Sequence, residues 1–292
     1  MRVFIFGKRF EPQHSLAVER LLHSMLEMGI EVAIYESFLS FLEQHFTVPP
    51  QIGIWKGYHD LSGVDFLISI GGDGTLLDTA SKIRNSNVPV LGINTGRLGF
   101  LSLVSMEMAQ DAIGMLKMGK FGLDKRNLIH VGSGDMAFGD FPYALNEVTL
   151  INRERSKMIT VHVYINDLYM STYWADGLII ATPTGSTAYS LSCGGPIVTP
   201  ESDNLLLTPI APHNLNVRPM VISNKSKITL RAEGREPEFM LNIDSHSWII
   251  GNETMIELTR SEFQLSLVTL EGQNFFNTIR NKLSWGMDKR NW

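Results

Sequence analysis

One cysteine, Cys193, stands in the whole chain. No intrachain disulfide framework can form, and the sequence suits a reducing compartment. No run of residues approaches the roughly 20 apolar positions that a membrane-spanning helix needs. The opening "MRVFIFGKRF" holds too short an apolar stretch for a secretory signal. A cytoplasmic protein without a membrane anchor is the expectation. Positive charge is also scarce: 25 Lys and Arg face 30 Asp and Glu, for a net charge of −5. Duplex nucleic acid is held by clustered Lys and Arg that displace counterions. The densest basic group here, "NRERSK" at 152–157, is interrupted by a Glu, so a nucleic-acid partner is not expected. Absent too are a G-x-x-x-x-G-K-[ST] phosphate loop, an HExxH pair and any Cys/His spacing suited to zinc.

What is present is ample apolar material, 44% of 292 residues, enough for two cores. The first 120 or so residues alternate strand-like and helix-like patterns. "RVFIFG" at 2–7, "IEVAIY" at 30–35, "VDFLISI" at 64–70 and "VPVLGI" at 88–93 read as buried strands. Between them, residues 15–29 place Val18, Leu21, Leu22, Met25 and Leu26 at helical spacing, with Ser15 as N-cap, and a second helix is expected from about Thr75 to Arg84. Buried strands separated by helices predict a parallel sheet covered on both faces. After about residue 123 the period changes to two, as in Ile159, Val161, Val163 and Ile165, with Asn166-Asp167 suited to a two-residue hairpin turn. The expected architecture is therefore α/β plus all-β: a Rossmann-like domain over 1–123 and a β-sandwich-like domain over 124–273. The tail 274–292, with Phe276, Ile279 and Leu283 at helical spacing, is expected to pack back on the first domain.

Four motifs carry chemistry. In "DFLISIGGDGTLLDTA" (65–80) an apolar strand enters Gly71-Gly72-Asp73-Gly74-Thr75 and continues as a helix. Strand, glycine turn and helix N-terminus together expose N–H groups to phosphate, and Asp73 would be an anion beside it. A plain structural turn is the alternative. "TPTGSTAYS" (182–190) concentrates hydroxyls and backbone donors suited to ribose and phosphate oxygens, with the Tyr189 ring available to a base. A Ser/Thr-rich surface loop fits the same run. "INTGRLGFL" (93–101) offers Phe100 to a pocket, and "LNEVTL" (145–150) sets Asn146-Glu147 between apolar residues, either as a satisfied polar turn or as a binding pair.

In order and spacing, "GGDGT", "NTGRLGFL", "NE", "DGLIIATPTGSTAYSLSCGGPIV" (176–198) and "TPIAPHNLNVRP" (208–219) resemble the NAD kinase family. The resemblance implies two domains with a cleft between them, and transfer of a phosphoryl group from ATP or another donor to the adenosine-ribose 2′-hydroxyl of NAD, giving NADP. It implies Asp73 as the catalytic base, and Gly74, Leu77, Phe100, Asn146, Glu147, Asp176, Thr187, Ala188, Tyr189 and Ser192 as contacts to NAD. Gly71, Gly72, Gly74 and Thr75 would hold phosphate. Lys157, as a phosphate contact, and Asp244, in "LNIDSHS", are further candidates. A divalent cation, Mg²⁺, would accompany ATP, with no dedicated protein ligands assigned to it, and a homodimer or homotetramer is the family habit. One position departs from the pattern. Trp174 stands two residues before Asp176, where the family often has a basic residue. Diacylglycerol- and sphingosine-type lipid kinases share GGDGT, but they differ after the next strand, where this chain reads "INTGRLGFL".

Overall fold

The computed structural model describes residues 1–134, 136–153, 158–234, 237–252 and 254–285. The chain divides into two compact units, Met1–Lys125 with Leu265–Trp292, and Arg126–Gln264.

In the first unit the strands are β1 (Arg2–Gly7), β2 (Glu31–Tyr35), β3 (Gly53–Trp55), β4 (Phe66–Ile70), β5 (Val90–Asn94) and β6 (Val104–Ser105). The helices are α1 (Ser15–Glu27), α2 (Glu36–Leu42), α3 (Asp73–Ile83) and α4 (Ala109–Lys117). The strand order β5-β4-β1-β2-β3 is parallel throughout. Every residue of β4 and β5 is buried, as a sheet covered on both faces requires. One face carries Val3, Ile5, Ile68 and Ile93 against Val18, Leu21, Leu22 and Met25 of α1 and Ile113 and Leu116 of α4. On α3 the Thr79 hydroxyl donates to Ser69 of β4 at 2.9 Å. Helix α1 begins at Ser15 without a side-chain cap, because a 3₁₀ turn over Pro12–His14 leads into it. Ser15 is thus the first helical residue rather than the cap that the pattern suggested.

The second unit is all β. Its strands are β7 (Gly122–Gly132, begun in the first unit), β8 (Tyr143–Ala144), β9 (Glu147–Asn152), β10 (Ile159–Ile165), β11 (Leu168–Ala175) and β12 (Gly177–Ala181). They continue as β13 (Asn204–Ile210), β14 (Met220–Ser223), β15 (Ile228–Glu233), β16 (Glu238–Ile243), β17 (His246–Gly251) and β18 (Met255–Thr269). A six-stranded antiparallel sheet runs β14-β13-β12-β9-β16-β17, and β11-β10-β15-β18 forms a second antiparallel layer. Val161, Val163, Leu230 and Leu258 from one layer share a core with Leu150, Leu178, Ile180, Leu207 and Leu241 from the other. That is a sandwich. Asn166 and Asp167 join β10 to β11 with φ of 52° and 65°, the left-handed pair that a tight hairpin turn demands. A four-residue helix, α5 (Tyr189–Ser192), interrupts the strands. The last residues of β18 belong to the first unit, where Leu267 pairs in parallel with Val90. They lead to α6 (Phe275–Leu283), where Ile279 is buried while Phe276 and Leu283 stay exposed.

Among the described residues no helix is long and apolar enough to cross a membrane.

Candidate active site

In the first unit, β4 delivers the chain to Gly71, and α3 starts at Asp73, two residues earlier than its pattern suggested. Gly72 is the N-cap and has no side chain with which to cap the first turn of α3, while its carbonyl accepts the Thr75 and Leu76 N–H groups at 3.0 and 3.2 Å. The positive end of the helix dipole lies there. Gly72 and Gly74 are exposed, and a Cβ on either would meet open space. Gly71 differs from the expectation. A Cβ there would lie 2.2 Å from Thr75 Oγ1, so its bareness makes room for the buried Thr75 rather than for a ligand. Of the four expected phosphate contacts, Gly72 and Gly74 are accessible, whereas Gly71 and Thr75 are buried.

Asp73 is half-buried and engaged. Its Oδ2 accepts the Phe100 N–H at 2.7 Å, and Oδ1 accepts those of Leu101 and Ser102 at 3.1 and 2.9 Å. This approach depends on Gly99, where a Cβ would sit 1.8 Å from Oδ1. Gly99 was not among the expected site residues, and "TGRLGF" carries no local signal for its role. A carboxylate accepts about four hydrogen bonds, so three loop amides leave Asp73 about one. Leu77, one turn further along α3, and Phe100 are both half-buried. Asp73, Gly74, Leu77 and Phe100 are thus held by α3 and the loop tied to its first residue.

The second unit gathers another set. Glu147 opens β9, and the segment 145–147 is gripped on both edges. The Thr182 hydroxyl donates to Leu145 O at 2.6 Å, and the Thr182 N–H to Asn146 O at 2.9 Å. On the other edge the Asp244 carboxylate accepts the N–H groups of Leu145, Asn146 and Glu147 at 2.7, 2.9 and 3.0 Å. Gly185 lies so close that a Cβ would meet Asn146 O at 2.2 Å, which fixes glycine at the centre of "TPTGST". Glu147 is half-buried, and its Oε2 is enclosed with no hydrogen-bond partner. Burial first, then the negative charge of Asp244, push its carboxyl up to about 7, against a hydrogen bond from the Tyr189 backbone.

Residues 182–192 sort themselves by exposure. Thr182, Thr184, Ser186 and Ser190 are buried. Ser186 exchanges hydrogen bonds with the backbone of Val198, and Ser190 bonds Thr208 at 2.7 Å. Thr184 accepts Arg126 Nη1 at 3.2 Å. These four hydroxyls brace the loop and face protein, so within this run only the other residues are open to ribose and phosphate. Thr187 and Ala188 are half-buried, and Tyr189 and Ser192 are exposed. These four are the positions that the resemblance assigns to NAD. Asp176, at the β11–β12 junction, is exposed and raises the Tyr189 phenol, behind burial and the Cys193 thiol in effect. Trp174 is exposed and lies against His213, with ring centroids 4.2 Å apart. Lys157 lies outside the described residues. Among those residues, no group of three or more His, Cys, Asp or Glu side chains converges as a metal site would require.

Residues 56–121 match the family model described as the ATP-NAD kinase N-terminal domain, and residues 145–270 the ATP-NAD kinase C-terminal domain. A Cytophaga hutchinsonii protein named NAD kinase is 42% identical over 288 residues, covering 98% of this chain and 99% of its own. A Flavobacterium psychrophilum NAD kinase is 40% identical over 294 residues and the full length of both. The solved yeast NADH kinase complexed with NADH has a TM-score of 0.88 at 23% identity, over 98% of this chain and 88% of its own, a likeness of fold. The Archaeoglobus fulgidus NAD kinase in complex with ATP has a TM-score of 0.73 at 27% identity, over 97% of this chain and 99% of its own.

Proposed function

The chain belongs to the NAD kinase family, and we propose that Asp73 is the base of the phosphoryl transfer that this family performs. The protein phosphorylates NAD to NADP, with ATP as donor. The ribose 2′-oxygen forms a bond to the γ-phosphorus while the bond from that phosphorus to the bridging oxygen breaks, and ADP leaves. The 2′-proton passes to Asp73. A secondary alcohol is a poor nucleophile, so a positioned base contributes about 10²–10⁴-fold, and alignment and charge neutralisation supply the rest. The observation that carries this reading is the Asp73 carboxylate, pinned by the amides of Phe100, Leu101 and Ser102 with about one acceptor position left.

The exposed Gly72 and Gly74 at the N-terminus of α3 suit phosphate oxygens. We assign NAD contact to Gly74, Leu77 and Phe100 from the first unit, and to Asn146, Glu147, Asp176, Thr187, Ala188, Tyr189 and Ser192 from the second. Mg²⁺ enters as part of the MgATP substrate, since that ion is commonly held by substrate phosphates with few protein carboxylates. Single-cysteine composition and acidic balance support a cytoplasmic protein with no nucleic-acid partner, which we read as a homodimer or homotetramer. Light scattering of the purified chain measures that assembly directly. Incubation with NAD, ATP and Mg²⁺ should yield NADP, and no NADP from any donor would end the kinase reading.

A further inference from the structure

We infer that Asp244 is a positioning residue for the dinucleotide: its carboxylate shapes the backbone of Leu145–Glu147 so that the Asn146 and Glu147 side chains meet NAD. The inference rests on the assignment of that pair to NAD made above. Pairing of β16 with β9 ends at Ile243 and Val148. Beyond it the N–H groups of 145–147 have no strand to receive them, and Leu145 is fully buried. The turn between β16 and β17 supplies the missing acceptor. Asp244 occupies that turn at φ 48°, a conformation that Asp and Asn adopt more readily than most residues. Its own N–H donates to Glu147 O at 3.0 Å, and its two oxygens take all three amides. Thr182 holds the carbonyls of Leu145 and Asn146 from the opposite edge. The segment therefore has one backbone shape, fixed by two residues distant in sequence.

The same carboxylate acts on Glu147 through charge. Among the described residues, the groups facing Glu147 are Asp244 from the β16–β17 turn, and the Tyr189 backbone, Tyr189 phenol and Cys193 thiol from α5 and its end. None of these is a cation. Asp244 thus favours a protonated Glu147 near neutral pH, in which state the carboxyl donates a hydrogen bond instead of only accepting.

Asp244→Asn keeps the turn and the volume but removes the charge and one acceptor oxygen. In this variant KM for NAD should rise about tenfold, more than kcat falls. The midpoint of the pH dependence of NAD binding should move down by roughly half a unit or more, as loss of a like charge demands. Glu147→Gln should abolish that midpoint, and adding Asp244→Asn to it should weaken NAD binding equally at all pH values. An Asp244→Asn protein with unchanged KM and unchanged midpoint overturns the inference. Should that variant fail to fold, hydrogen exchange on the unmodified chain decides. Amides of Leu145, Asn146 and Glu147 as protected as those of Val148–Leu150 support the inference, and freely exchanging ones overturn it. NADP formation by the unmodified chain, measured alongside, tests the kinase reading separately.

Discussion

Two aspartates, one in each unit, make the same set of bonds. Asp73 binds the amides of Phe100, Leu101 and Ser102, and Asp244 those of Leu145, Asn146 and Glu147. Their surroundings part them. Asp73 opens an eleven-residue helix between two exposed glycines, where the helix dipole favours an anion beside it. Asp244 sits in a two-residue turn against a second carboxyl, whose proton it helps retain. The bonding pattern alone does not assign a chemical role. What stands next to the carboxylate does: open helix N–H groups invite phosphate, and an enclosed acid couples to the charge of its neighbour.

Asp73→Asn separates the two aspartates most strongly. The amide has nearly the same volume but loses the base and one of the two oxygens that accept the loop amides, so kcat should fall by at least about 10²–10⁴-fold while NAD binding changes far less; unchanged turnover would remove Asp73 from the chemistry. Next is Gly99→Ala, which leaves the carboxylate intact but puts a Cβ 1.8 Å from the present Oδ1 position. Displacing a reacting group by about 1 Å costs about 10²-fold, and steady-state turnover equal to the parent would show that the three-amide grip on Asp73 is idle. Tyr189→Ala should raise the NAD dissociation constant about two- to tenfold, from loss of a ring contact of about 0.5–1.5 kcal/mol. Calorimetric titration giving an unaltered constant would place that ring away from NAD.

The last test reads stability instead of turnover. Glu147 carries its proton up to about 7 when folded, against an ordinary 4.5. The folded state therefore binds more protons across that window, and stability is lost as pH rises through it. Glu147→Gln has no such proton to lose, so between pH 5 and 8 its Tm should decline less than that of the parent. Parallel declines would show that the carboxyl titrates ordinarily.

Local patterns were legible wherever neighbours in sequence decide the structure. The run 64–70 became a buried parallel strand feeding a glycine turn and a helix, and Asn166-Asp167 became a left-handed hairpin turn. Both follow from backbone preferences that a residue carries with it. The inward hydroxyls of Thr182, Thr184, Ser186 and Ser190 were not legible, since a buried hydroxyl and a ligand-facing one have the same composition. Their partners, Leu145, Arg126, Val198 and Thr208, lie 12 to 58 residues away. Nor was either aspartate's grip. Asp73 reaches amides up to 29 residues on, and Asp244 reaches back as many as 99. Pairings of that reach depend on how strands are ordered in the sheets. Ser15 failed as a cap for a nearer reason, because the 3₁₀ turn at Pro12–His14 had already begun the coil.

The lone thiol opens a practical route. Cys193 ends α5, half-buried and hydrogen-bonded to Tyr189, with its thiol pushed up chiefly by burial. Little of it is thiolate at neutral pH, so alkylation will be slow, but it has one address in a chain of 292 residues. A fluorine or dye label attached there is a single reporter next to Tyr189, with no other cysteine to remove first. Its signal, or the rate at which it attaches, turns NAD occupancy beside Tyr189 into something read in a cuvette.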